Sequence, residues 1–469
     1  MIKKYLANAV SLILIFMGLA CSTNQALAST HVVDKNAFTY PISNLPGEVR
    51  LNFNVGRGLF RRLWVTAPAS TQAADGLGPL YNARSCMECH TGNARGHAPA
   101  TSGDDVGLLL LRVDIPAQNK QQQQQLSEFK INNVPEPSYG IQLQSFAVPG
   151  HLAEYKLNVE YEDIPVSFAD GTSISLRKPV YTTTELAYGS MHHDMRISPR
   201  VPPQVIGLGL LEAIDEQDVY KQEDPLDEDN DGISGRANIV WSGEYSKTAL
   251  GRFGYKAGMP SINEQVQSAF SIDLGLSVPL FRSAAGDCTL QQERCLAAPN
   301  GNSVQYDNLE ADQQIVDLVN LYVNYISVPP QRHADDPSVQ KGKKVFNQLG
   351  CQKCHTPYYV TGSHAPAKFN HAKKIAPYTD LLLHDMGEGL ADNRPEGNAT
   401  GSEWRTAPLW GIGLTKMVSG YSHYLHDGRA RSLLEAILWH GGEAQSQRDA
   451  VIDLDRNSRD QLLKFIESL

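Results

Sequence analysis

Two CxxCH segments constrain this chain more than anything else in it. They are Cys86-Met87-Glu88-Cys89-His90 and Cys351-Gln352-Lys353-Cys354-His355. Each offers two thiols for thioether bonds to a haem and a histidine placed to ligate its iron. Two such segments behind an export signal predict two covalent c-type haems, with His90 and His355 as proximal ligands. The first question is therefore electron transfer, and the second is whether either haem also does chemistry.

The N-terminus reads as that signal. Lys3 and Lys4 precede an apolar stretch over residues 9–20, and Ala26-Leu27-Ala28 offers a small-x-small cleavage site. The apolar run is short for a membrane span. Cleavage after Ala28 is one expectation, and a lipid anchor at Cys21 is its rival; either product faces the periplasm. Of the seven cysteines, Cys21 belongs to the signal and four to the CxxCH segments. Cys288 and Cys295 remain, and a local disulfide is expected in an oxidising compartment. The formal charge of −10 argues against nucleic acid or an anionic membrane as partner. It leaves room for a small redox partner such as a cytochrome or a cupredoxin.

The chain divides into residues 1–28 as signal peptide, 29–330 as an enlarged first haem domain, 331–338 as linker and 339–469 as a compact second haem domain. The fold class expected is mainly α: two cytochrome c-like domains, the first enlarged by loops and a small β element. Helices are predicted over residues 48–65, 205–214, 309–327, 339–349, 433–439 and 459–469, from apolar spacing and Pro/Gly punctuation. Strand-like pieces lie at 106–113, 141–148 and 156–161. Five glutamines at 121–125 read as a surface loop or helix start.

Longer segments carry a family resemblance. Residues 378–387 (Tyr-Thr-Asp-Leu-Leu-Leu-His-Asp-Met-Gly), Glu403-Trp404-Arg405-Thr406-Ala407-Pro408-Leu409-Trp410-Gly411, Leu425-His426-Asp427-Gly428-Arg429-Ala430-Arg431 and residues 432–444 resemble the bacterial di-haem oxidoreductases, described as peroxidases or thiol oxidoreductases. Ser198-Pro199-Arg200, residues 206–214 and Tyr139-Gly140-Ile141 extend the likeness over most of residues 50–469. A more distant likeness is to di-haem cytochrome c peroxidases and the tryptophylquinone-forming enzymes. In those peroxidases a His-Asp-Gly segment precedes a helix bearing the distal methionine of the electron-entry haem. Here His426-Asp427-Gly428 is followed at the matching position by His440. The resemblance thus implies bis-histidine ligation of the second iron and a lower potential than a thioether would give. Spacing alone leaves His384, Met386, Met417, His423, His426 and His440 as candidates.

The distal side of the first haem is open in sequence. His97 and His151 are candidates, and Met191-His192-His193-Asp194-Met195 is the richest local cluster. His192, with His193 as rival, is the expected distal ligand or catalytic base; Glu154 and Glu185 are possible carboxylate partners. Trp64, Trp241, Trp404 and Trp410 are candidates to stand between haems. Asp227, Asp229 and Asp231, ahead of Gly232, alternate as in a Ca²⁺ loop, although Asn238 stands where an EF-hand has its last glutamate. The expected function is a periplasmic di-haem oxidoreductase that reduces peroxide at the first haem. Its rivals are a non-catalytic electron carrier and an oxidase of a thiol or other organic donor.

Overall fold

The computed structural model describes residues 33–99 and 109–469. The expected signal peptide and Cys21 lie outside these residues. Helix outweighs strand, and no helix among the described residues is long and apolar enough to cross a membrane.

Two helix pairs organise the chain around the CxxCH segments. The first helix, Gly47–Phe60, buries Phe53, Gly56, Leu59 and Phe60 on one face. It crosses the helix Gln313–Asn324, whose N-cap Asp312 accepts from the Ile315 amide and whose buried face carries Val316, Val319, Tyr322 and Val323. The crossing requires glycine: a Cβ on Gly56 would lie 2.0 Å from the Leu318 carbonyl oxygen. Phe60 then meets Tyr322 at 5.3 Å between ring centroids and His90 at 6.3 Å.

The arrangement recurs further along. Helix Pro337–Gln348 starts from N-cap Asp336 with proline in its first turn, and it buries Val339, Gly342 and Phe346. It crosses the last helix, Arg456–Ser468, where a Cβ on Gly342 would lie 1.9 Å from the Gln461 carbonyl oxygen. Phe346 meets Phe465 at 5.2 Å and His355 at 6.3 Å. In both pairs a glycine sets the crossing, and a phenylalanine one turn later touches the CxxCH histidine. Each pair lies in its own apolar cluster.

The β element is larger than expected. Strands Gln142–Leu143, Leu110–Asp114 and Arg196–Arg200 form a three-stranded antiparallel sheet over a third apolar cluster. Strands Lys156–Ser167 and Ser173–Thr184 pair along their full length as an antiparallel hairpin. The tip of this hairpin reaches the second apolar cluster through Val166, Phe168 and Leu176. Arg177 also donates to the carbonyls of Gly428 and Arg429.

Most expected helices are present with shifted ends. The 205–214 helix shrinks to Leu208–Glu212. Gly207, at a φ of 66°, starts it with a left-handed turn, and Gly209 lies against the Asn324 carbonyl. The five glutamines belong to the helix Lys120–Ser127, which buries no residue. Residues 331–338 are not all linker, since the Pro337–Gln348 helix begins inside them. The described residues fall in one compact unit, Val33–Leu469.

Candidate functional site

Each CxxCH segment opens on its own cavity. One, of about 230 Å³, is lined by Cys86, Cys89 and His90. The other, of about 220 Å³, is lined by Cys351, Cys354, His355, His384, Met386, His426 and His440. Five residues line both: Arg95, Tyr255, Arg405, Ala407 and Ile412. The two cavities are neighbours across a wall of side chains.

The histidines are presented as metal ligands need to be. His90 Nδ1 lies 2.7 Å from the Pro203 carbonyl oxygen, His355 Nδ1 2.9 Å from that of Tyr378, and His440 Nδ1 2.7 Å from that of Ala436. A carbonyl only accepts, so Nδ1 carries the proton and Nε2 keeps its lone pair. Burial pushes His90 and His355 down to about 4 and lowers His440 as well, which keeps the three imidazoles neutral. Burial also pushes the thiols of Cys86 and Cys351 up to about 12 and raises Cys354. The thioethers of a covalent haem are uncharged, so burying these sulfurs carries no charge penalty there. Two cysteines and an oriented histidine beside an apolar cavity fit covalent haem in both places.

The second cavity contains a further ordered group. His384 is 3% exposed and sits between Asp380 and Glu443, 2.8 Å from each. Burial opposes its protonation, but Asp380, Cys354 and Glu443 outweigh burial and raise it well above the usual imidazole range. Both its nitrogens are engaged. His426 stacks on Trp404 at 3.8 Å and 10° between ring planes. Met386 also lines this cavity, whereas Met417 is half exposed and, like His423, lines neither.

The first cavity is more polar. Among the described residues its lining has no histidine besides His90, and its one thioether is Met259. Gln265, Asp273, Arg112, Arg200 and Glu396 also face it. Arg200 pairs with Glu396 at 2.9 Å, and Arg394 does the same at 2.9 Å. Burial raises Glu396, but Arg200, Arg394 and Arg112 overcome this and hold its carboxyl well below the usual range. Asp392, 2.9 Å from Lys256, extends the buried network, and Lys256 stands 4.4 Å above the Trp404 ring.

His192 and His193 are not brought to this cavity. They stack on each other at 4.4 Å in the turn before strand Arg196–Arg200, and the His193 side chain is 83% exposed. His97 stacks on Tyr421, and His151 lines a separate surface crevice. Glu154 is buried behind Gln144 and Gln292, while Glu185 is an exposed partner of Lys156. Cys288 and Cys295 form a disulfide. In the acidic loop, oxygens of Asp224, Asp227 and Asp229 lie within 4.8 Å of one another. The Asp231 carboxylate instead reaches Lys353, between the cysteines of the second CxxCH segment, at 2.5 Å.

Sequence reasoning missed the wall residues and the ion network. Arg200 and Arg405 stood inside family-like segments, which was a signal. Arg95, Tyr255, Met259, Gln265 and Glu396 carried no motif.

Each of the two cavities is bordered by a CxxCH segment and a buried imidazole. Residues 23–469 match the family model described as "Di-haem oxidoreductase, putative peroxidase", and the chain belongs to that family. It is thus an enzyme of the oxidoreductase class, whose family name implies two haems. No curated protein matches it. Among solved structures, a chain of Kuenenia stuttgartiensis hydrazine synthase, pressurised with xenon, is similar at 16% identity and a TM-score of 0.25. That alignment covers 41% of this chain and 65% of the solved one.

Proposed function

We propose that this enzyme is a periplasmic di-haem peroxidase. Cys86, Cys89 and His90 would hold one c-type haem, and Cys351, Cys354 and His355 would hold the other, with His440 as a further ligand. The haems would supply the electron storage and the reactivity toward peroxide. The observation that carries the reading is the asymmetry of the two cavities. One contains a second buried, oriented histidine, whereas the other, among the described residues, has no histidine besides His90 and Met259 as its one thioether. In this reading electrons would enter at the cavity of His355 and His440, and peroxide would reach the cavity of His90.

The duplicated helix pairs support two cytochrome c-like units, 29–330 and 339–469, joined near residues 331–338. Acid–base work, which the sequence assigned to His192 or His193, falls in this reading to groups lining the first cavity. Asp273 is the best placed: burial raises its carboxyl, and Gln142 Nε2 donates to Oδ1 at 2.7 Å. Glu396, held ionised by its arginines, acts as fixed charge. Asp224, Asp227 and Asp229 are proposed to hold Ca²⁺, with Asp231 tying the loop to Lys353. A small cytochrome or cupredoxin is the proposed donor.

Met259 favours one rival. If its sulfur occupies the first iron permanently, the protein is an electron carrier. Visible and electron paramagnetic resonance spectra of half-reduced holoprotein decide between the two. The peroxidase reading expects a high-spin haem that binds and reduces peroxide. Two low-spin haems that exchange electrons but ignore peroxide would establish the carrier.

A further inference from the structure

The wall between the cavities contains two arginines without an anion. Arg95 donates to the Tyr255 hydroxyl at 3.1 Å and the Leu425 carbonyl at 2.6 Å, and its buried Nε has no hydrogen-bond partner. Arg405 donates to the carbonyls of Gly254 at 3.0 Å and Thr406 at 2.9 Å. All four partners are neutral, and neither arginine forms an ion pair among the described residues. Arg196 meets Asp114 at 2.6 Å, Arg236 meets Glu403 at 2.6 Å and Arg429 meets Asp427 at 2.9 Å, whereas the buried Arg177 and Arg252 also rest on carbonyls alone; what sets Arg95 and Arg405 apart is that both line both cavities. Burial already pushes the Arg405 guanidinium down to about 10. A cation taken out of water without a counter-charge is costly, and the cost is relieved by a carboxylate in fork geometry.

The cavities themselves suggest where that carboxylate comes from. Each haem carries two propionate carboxylates, and the guanidinium fork matches a carboxylate bidentately. We propose that Arg95 and Arg405 form a carboxylate clamp shared by both cavities, which binds haem propionates at the wall. Because both side chains line both cavities, the clamp couples the charge state of one haem to that of the other. This rests on the reading that both cavities hold haem.

The test is a spectroelectrochemical titration of the holoprotein, with the mass of the denatured chain as a check on haem content. Arg95→Gln and Arg405→Gln should each lower the midpoint potentials of both haems, because a lost cation disfavours the reduced, less positive iron. The ratio of reduced to oxidised haem at a fixed poise should fall by on the order of tenfold, as for one charge several ångström away in a protein interior. Arg95→Lys and Arg405→Lys keep the charge and should restore most of the shift. Arg448→Gln is the internal contrast: Arg448 lines only the second cavity, and its Nε is also unpartnered. It should move one haem alone. If Arg95→Gln and Arg405→Gln move one potential or neither, with both haems attached, the shared clamp is wrong. Wild-type potentials that respond to added acetate while ignoring both substitutions would assign the pair to a dissolved anion and equally overturn it. A wild-type chain with no thioether-bound haem would instead bring down the cofactor reading beneath it.

Discussion

In the proposed reading, His440 is the residue on which the division of labour between the two cavities turns. Its ring is fixed by the Ala436 carbonyl of the helix Leu433–Leu438 that precedes it, so Nε2 has one orientation to offer. His440→Met should raise the potential of the second haem and add a sulfur–iron charge-transfer band, because a thioether favours ferrous iron. An unchanged visible spectrum and potential would place the axial ligand elsewhere. Glu154 supports a separate prediction. Burial pushes its carboxyl from 4.5 up to about 8, against hydrogen bonds from Gln144 and Gln292. The folded chain then holds this proton more tightly than the unfolded chain. Wild-type stability should fall as pH rises from the unfolded value toward about 8, and Glu154→Gln should flatten that slope. Denaturant midpoints of both forms across this window check it, with a difference on the order of a few kcal/mol. At this scale the sequence was informative wherever chemistry demands a fixed spacing, as in Cys351-Gln352-Lys353-Cys354-His355. It was silent about Arg95 and Glu396, whose meaning depends on neighbours from distant segments.

At the scale of elements, the two glycine crossings do the positioning. Gly342→Ala would put a methyl against the Gln461 carbonyl and push the last helix away from Phe346. Overpacking of this kind typically costs about 1–3 kcal/mol. The melting temperature should drop, and the spectrum of the second haem should change more than that of the first. A variant as stable as wild type would mean that the crossing can relax. The helices themselves were largely legible: Leu318 and Tyr322 sit at helical spacing, although the start at Asp336-Pro337 was read as linker. The long hairpin was legible only at its beginning. Past Tyr161 the strand carries mostly exposed residues, so no apolar alternation marked it. The 205–214 segment was over-read because its apolar residues are buried in the first apolar cluster without a long helix, the helix itself spanning only Leu208–Glu212.

Across the whole molecule, the acidic loop and the second CxxCH segment are mechanically joined. Lys353 meets Asp231, while Ser234 donates to Glu443 through its amide at 2.9 Å and its hydroxyl at 3.0 Å. If Ca²⁺ occupies the loop, chelation should loosen this joint and alter the second haem before the first. Asp229→Ala should weaken Ca²⁺ uptake in a titration of the chelated protein. Equal uptake by both forms would leave the loop to solvent. The order in which the chain is completed has its own consequence. Helix Gln313–Asn324, which closes over Phe60 and His90, is made long after Cys86 and Cys89, whereas the helix that closes over His355 follows its CxxCH segment much sooner. If the chain is exported as proposed, the first pair of thiols waits longer in the open. In the proposed reading it is the pair most exposed to premature oxidation, and its haem is the one that a shortage of maturation machinery should leave unattached.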